Sequence, residues 1–150
     1  MTPSEDAVLA AVLAGLPPGR AMPDVLQVGC GTGDFAVRLL DACPGVALLA
    51  TDPSYELVAL ARERGVTAQL QDVQHLLAPD AAYDVVVALG LVDLDRGLAE
   101  LRRVLRKDGR LVVTADGDSD EVESALRQHF DAVRREDLGS DPAATLFTAS

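Results

Sequence analysis

Five short apolar runs, separated by amphipathic stretches, constrain the fold more than any other feature of this sequence. The clearest is Tyr83–Leu89, where Val85-Val86-Val87 is a continuous β-branched run. Such a run suits a central parallel strand covered on both faces. Asp24–Val28 and residues 46–50, 66–70 and 110–115 read as further strands. Helix patterns lie between them: 35–43, ended by Pro44-Gly45; 53–64, with Gly65 as C-terminal cap; 95–106, ended by Asp108-Gly109; and 119–130. Leu98, Leu101, Val104 and Leu105 share one helix face, as do Val122, Ala125, Leu126, His129 and Phe130. Residues 71–82 read as a loop with one helical turn at 73–77. An N-terminal helix is expected with Thr2 as cap, Pro3 at its first position, Glu5 completing a capping box and Gly15 at its end. The tail offers two strands, 132–137 and 143–149, joined through "LGSDP".

This alternation predicts an α/β fold, a doubly wound, mainly parallel sheet with helices on both faces. The last two strands follow one another through a short turn, so an antiparallel pair at one edge is expected. A chain of 150 residues suits a single domain and can bury roughly 70% of its unfolded surface without disulfides or metal. Aromatic residues make up only 3% of it, so the core must be aliphatic.

The formal net charge is −11, which argues against a nucleic-acid or anionic-membrane partner. The strongest basic cluster, "LRRVLRKDGR" at 101–110, reads as a solvated helix end. Cys30 and Cys43 fit no metal spacing, and no metal site is expected. The apolar stretch near the N-terminus is short for a membrane span and begins with Glu5 and Asp6, unlike a signal peptide. The expected location is the cytoplasm.

In doubly wound sheets, ligands bind beyond the carboxyl ends of the strands. Collecting the residues there gives Gly29-Cys30-Gly31-Thr32-Gly33 after the first strand, Asp52 after the second, Asp72 after the third, and Ala88, Leu89 and Gly90 after the fourth. Glycines let a ligand approach the backbone. Asp52 lies nineteen positions beyond Gly33, close to the spacing at which an acid grips a ribose diol. A dinucleotide fingerprint would need Gly or Ala at position 34. Asp34 stands there, and its carboxylate repels a pyrophosphate at the helix N-terminus. No Gly-Lys-Ser/Thr occurs, which excludes a phosphate loop of that type. Asp52 as a helix cap and Asp72 as a turn residue are the plainer readings of these two acids.

Four segments, "VLQVGCGTGDFAVRLL", "LLATDPSYELVALARERG", "LQDVQHL" and "YDVVVALGLVDLDRGLAELRRVLRKDGRLVV", resemble in order and spacing the class I S-adenosylmethionine-dependent methyltransferases, near their ubiquinone- and menaquinone-type branch. The resemblance covers roughly 24–115. It implies a Rossmann-like seven-stranded sheet of order 3-2-1-4-5-7-6. It also implies a division into an N-terminal helix and loop (1–23, a candidate lid), a cofactor-binding core (24–115), and a final helix with an edge strand pair (116–150). The implied cofactor is S-adenosyl-L-methionine. Gly29, Cys30, Gly31 and Gly33 would carry its methionine part, and Asp52 would accept from both ribose hydroxyls. Pro53 would pack on the adenine, Asp72 would accept from its amino group, and the Val73 N–H would meet a ring nitrogen. The Ala88 carbonyl region would face the ammonium group. Relatives carry Asp or Glu at the position of Gln27, often toward that ammonium. Gln27 brings no charge, which could cost about 1 kcal/mol of affinity.

Methyl transfer from a sulfonium mainly requires alignment of acceptor and methyl. No general base announces itself; Asp93, His75 and Tyr55 are the conceivable ones. An acidic surface fits a neutral or cationic small-molecule acceptor. With a small N-terminal cap and no long insertion, the acceptor site is either shallow or completed by a homodimer partner or another chain. The expected function is that of a small-molecule methyltransferase. The alternatives are a non-catalytic S-adenosylmethionine-binding or partner subunit and a nucleotide-dependent oxidoreductase.

Overall fold

A computed structural model describes residues 3–89, 94–115, 118–138 and 145–150. The expectations for Thr2, Gly90, Asp93, residues 139–142 of the turn "LGSDP" and the start of the last strand at 143 lie outside the described residues.

Seven strands form one sheet: β1 (Asp24–Val28), β2 (Ala47–Asp52), β3 (Ala68–Leu70), β4 (Tyr83–Leu89), β5 (Leu105–Ala115), β6 (Val133–Asp137) and β7 (Thr145–Ala149). Their order is β3-β2-β1-β4-β5-β7-β6. β1 to β5 pair in parallel, and β7 runs antiparallel to both β5 and β6. Five helices complete the fold: α1 (Pro3–Gly15), α2 (Asp34–Ala42), α3 (Tyr55–Glu63), α4 (Leu94–Val104) and α5 (Ser119–His129).

The period-two alternation of the central strands divides the core between the two sheet faces. Leu26, Val28, Val86, Ala88, Leu111 and Val113 pack with Leu98, Leu101 and Val104 of α4 and Val122 and Leu126 of α5. Val25, Val85, Val87 and Val112 pack instead with Val8 and Val12 of α1 and Phe35 and Leu39 of α2. The β-branched run of β4 is therefore buried from both sides, as its composition requires. A third cluster joins α3 to β2 through Ala50, Val58, Ala61 and Val66. α1 runs counter to the strands. Its last residue, Gly15, lies against Val85 and Arg110 near the amino ends of β4 and β5, so its first turn lies toward their carboxyl ends.

Three local expectations are corrected. The turn at 73–77 is not helical: Asp72 and His75 form an isolated β-bridge around it. β3 is three residues long rather than five. α4 ends at Val104, before the Asp108-Gly109 stop, because the buried Leu105 already pairs with Tyr83. The next pair is Val85 with Arg110, so Asp84 alone faces Arg106 to Gly109. That bulge is where the basic cluster does its packing. Arg106 pairs with Asp24 and Asp84, Arg103 pins the loop before β4, and Arg102 lies over the Phe130 ring. The cluster is thus largely built into the fold rather than a solvated helix end.

Candidate functional site

The carboxyl ends of β1, β2 and β3 converge on one carboxylate, Asp52. It is 6% exposed. Its Oδ2 accepts from the Gly31 N–H at 3.1 Å, and its Oδ1 accepts from the Ser54 N–H at 2.9 Å. Its backbone carbonyl accepts from Gln71. The glycine turn is therefore tied to the end of β2 twice, since Cys30 N–H also donates to the Thr51 carbonyl at 3.0 Å. Asp52 does not cap α3 itself. Ser54 does, accepting from Leu57 N–H at 3.3 Å. No cation pairs with Asp52 among the described residues.

The three glycines of the turn have different reasons to be glycine. Gly29, Gly31 and Gly33 all have positive φ, at 68°, 56° and 92°, where a side chain is strained. A Cβ on Gly31 would meet nothing within 4 Å, and one on Gly29 would touch only the Leu89 carbonyl at 3.8 Å. These two leave open space above the backbone. A Cβ on Gly33 would press on Ala61 at 3.3 Å and Val66 at 3.4 Å. Gly33 therefore lets the turn close onto α3. Cys30 is buried among the α3 side chains. Burial first, and then the charge of Asp52, pushes its thiol above the usual range.

Gln27 lies beneath this turn. It shares the strand face of Val25, toward α1 and α2, with Ala50 and Val87 beside it in register. It is 1% exposed, and among the described residues neither its amide oxygen nor its amide nitrogen has a hydrogen-bond partner. Asp34, at the first position of α2, is exposed and ion-paired with Arg64, whose guanidinium also reaches the Thr32 carbonyl. Its charge is thus partly offset. The carboxylate still occupies the helix terminus that a pyrophosphate would need.

Asp72 follows β3 and is exposed. Its Oδ1 accepts from the Gln74 N–H at 2.9 Å, and its carbonyl accepts from the His75 N–H. Asp72 is a turn-forming residue with one carboxylate oxygen committed, and Val73 sits half-buried within that turn. Pro53 and Tyr55 are exposed beside Asp52, at the entry to α3. Ala88 is buried in β4, paired with Val28. His75 is exposed on the β3–β4 loop.

Two residues that hold this region escape sequence reasoning. Glu100 accepts from the Leu76 N–H at 2.9 Å, and Arg103 donates to the carbonyls of Leu76 and Ala78 at 3.1 and 2.9 Å. The two also bind each other at 2.7 Å. Hydrogen bonding to Arg103, foremost, holds the Glu100 carboxyl below the usual range, and Glu100 in turn raises the Arg103 guanidinium. Together they fix the loop carrying Asp72 and Val73, which has no helix of its own. The only available signal was an ordinary i, i+3 Glu–Arg pair on a helix.

A cavity of 590 Å³ lies at the opposite end of the sheet, lined by Leu16, Arg20, Asp84, Arg106, Lys107 and Arg110 among others. Within it Asp84 is paired with Arg20 and Arg106, and Arg110 donates to the Ala11 carbonyl. The candidate site is placed at the carboxyl ends, where the carboxylate has no counter-charge. No group of three or more His, Cys, Asp or Glu suited to a metal exists among the described residues. No helix among them is long and apolar enough to cross a membrane.

A family model described as a methyltransferase domain matches residues 25–109. The chain is 34% identical over 145 residues to a malonyl-acyl-carrier-protein O-methyltransferase of Geobacter sulfurreducens, covering 89% of this chain and 52% of that protein. It is 39% identical over 99 residues to a demethylmenaquinone methyltransferase of Deinococcus radiodurans, covering 59% and 41%. The chain thus spans about half the length of these relatives. Among solved structures, a phosphoethanolamine N-methyltransferase of Haemonchus contortus in complex with S-adenosyl-L-methionine shares the fold, with a TM-score of 0.80 at 14% identity over 96% of this chain and 52% of that one.

Proposed function

The chain belongs to the methyltransferase-domain family, of the class I, S-adenosylmethionine-dependent kind, and on that premise we propose that it is a transferase that binds S-adenosylmethionine and methylates a small-molecule acceptor. The observation that carries this reading is Asp52, a buried carboxylate held by two backbone amides with no cation beside it. A carboxylate offers about four acceptor positions. Two are taken by Gly31 and Ser54, which leaves two for a vicinal diol.

The residues present fit the cofactor. The open space that an added Cβ on Gly29 or Gly31 would meet supports a ligand chain lying along the backbone there. Asp72 keeps one carboxylate oxygen for an adenine amino group, the Val73 N–H serves a ring nitrogen, and Pro53 packs on the adenine. Cys30, Gly33 and Ala88 shape the turn and its floor without a polar side chain to offer. When bound, S-adenosylmethionine supplies an already activated methyl group. The chain's own residues hold the ribose, orient the amino-acid end and align the acceptor, which is a proximity effect. A neutral or cationic acceptor suits the net charge of −11. The division into 1–23, 24–115 and 116–150, with the middle segment as cofactor core, and a cytoplasmic location complete the proposal.

Calorimetric titration with S-adenosylmethionine, S-adenosylhomocysteine and NAD tests it. Binding of the two adenosyl ligands without NAD is expected. Binding of NAD alone would sink the methyltransferase reading. Tight adenosyl binding with no transfer across a broad acceptor screen would leave a binding protein.

A further inference from the structure

β6 ends the sheet at the edge farthest from β3, and among the described residues no strand pairs with its outer side. Its ladder with β7 runs in step from Val133↔Ala149 to Asp137↔Thr145, and Arg134 to Asp137 are exposed. An open edge is a template for another strand, and charged side chains are one means of blunting it. Here the charges have a particular order, Val133-Arg134-Arg135-Glu136-Asp137. Basic residues come first and acidic ones last, so the strand complements its own reverse. The backbone fixes which residues face outward. Just before β6, Ala132 and Ser150 exchange both N–H···O bonds, at 3.0 and 2.9 Å. Such pairs alternate along an antiparallel ladder. Arg134 and Glu136 therefore turn their backbone groups to β7, and Val133, Arg135 and Asp137 turn theirs to the free edge. Side chains alternate between the faces as well. Arg135 lies over the Phe147 ring and pairs with Asp120 of α5 at 2.7 Å. Arg134 and Glu136 stand on the other face, in a groove of 330 Å³ shared with Ala7 and Ala11 of α1. Neither has an ion-pair partner among the described residues.

We infer that β6 is a homodimer interface, in which a second copy of this chain adds antiparallel to it around Arg135 and makes one continuous sheet across the two chains. Outward backbone groups must meet outward backbone groups, which restricts the register to a few choices. Centred on Arg134, the pairing would set two arginines opposite one another, and centred on Glu136, two glutamates, both unfavourable. Centred on Arg135, Val133 meets Asp137 of the second copy and Arg134 meets its Glu136, each twice by symmetry. The Arg–Glu positions are then the non-hydrogen-bonded ones, where facing side chains approach most closely. The two Arg135 side chains also face one another. Each is held by its own Asp120 and has its own Asp137 at 3.5 Å, which offsets that repulsion. The interface lies at the far side of the sheet from Asp52, so it stands or falls separately from the cofactor reading.

Sedimentation equilibrium on the full chain tests this. Wild type is expected to dimerise. Arg134→Glu and Glu136→Arg each set like charges opposite one another at both positions, and each should weaken the dimer about tenfold or more. Both substitutions lie at exposed positions, so the fold should survive them, which circular dichroism checks. An equimolar mixture of the two variants should recover the dimer, because each supplies the charge that the other lacks. The double variant carrying both substitutions should recover it too. A wild type that stays monomeric up to about 1 mM would overturn the inference. So would a dimer that neither substitution weakens, or a weakening that neither the mixture nor the double variant reverses.

Discussion

Asp52 and Asp84 sit on the two strands that flank β1, at opposite ends of the sheet, and each is 6% exposed. Asp84 receives Arg106 at 2.8 Å, Arg20 at 3.2 Å and the Asp24 N–H at 2.9 Å. Among the described residues, Asp52 receives only two backbone amides. Burying a carboxylate costs several kcal/mol, which an ion pair offsets only with good geometry and further hydrogen bonds. At Asp84 that compensation ties the α1–β1 linker, β1 and the β5 bulge together. At Asp52 the compensation is incomplete, and the remaining lone pairs point to a ligand that supplies donors. Equal burial thus marks a structural joint at one end and a candidate binding group at the other. The partners, not the degree of burial, tell the two apart.

The contrast can be broken by experiment. The largest expected effect is on stability. Asp84→Ala should lose about 3 kcal/mol by urea denaturation, because it leaves two guanidinium groups without their shared acceptor. Adenosyl-ligand affinity of the folded fraction should be unchanged; a loss of affinity as large as that of Asp52→Ala would erase the distinction. Next, Gly33→Ala should cost about 2 kcal/mol, since it combines a positive φ with a contact onto Ala61. Gly31→Ala, facing open space, should cost less stability and more affinity. Third, Asp52→Ala should weaken S-adenosylhomocysteine tenfold or more, about 1.4 kcal/mol, with a smaller change in unfolding midpoint. An unchanged affinity means that the ribose assignment is wrong.

The smallest effect concerns pH. The Glu100 carboxyl is held below its ordinary value of 4.5, chiefly by its hydrogen bond with Arg103. A depressed folded value means that the unfolded chain takes up the proton first as pH falls. The stabilisation is complete above 4.5 and disappears as pH falls through the lower folded value. Thermal midpoints of wild type and Glu100→Gln should therefore differ at neutral pH and converge in acid. Parallel curves would show that the pair does not hold the β3–β4 loop.

Much of the molecule is legible in its sequence. The run Val85–Val87 has the β-branched composition typical of a doubly covered strand, and Gly65 and Pro44 punctuate helices by their backbone preferences alone. Strand order follows from the succession of elements and the family resemblance. The end of α4 is not legible, because Asp108-Gly109 is an ordinary helix stop and only the pairing of Leu105 with Tyr83 overrides it. The anchoring of the β3–β4 loop is equally hidden. Glu100 and Arg103 look like any exposed helix pair until the loop is laid across them.

The sequence by itself determined the alternation of strands and helices, the glycine turn and the two acids at the carboxyl ends of β2 and β3, because these depend on local backbone preference and hydrophobic period. Tertiary structure alone decided which acid is neutralised, which glycine faces open space rather than α3, and that Gln27 is enclosed with both ends of its amide unpaired. Each of those depends on groups far apart in the chain meeting within hydrogen-bond or van der Waals distance, and no local pattern encodes such a meeting.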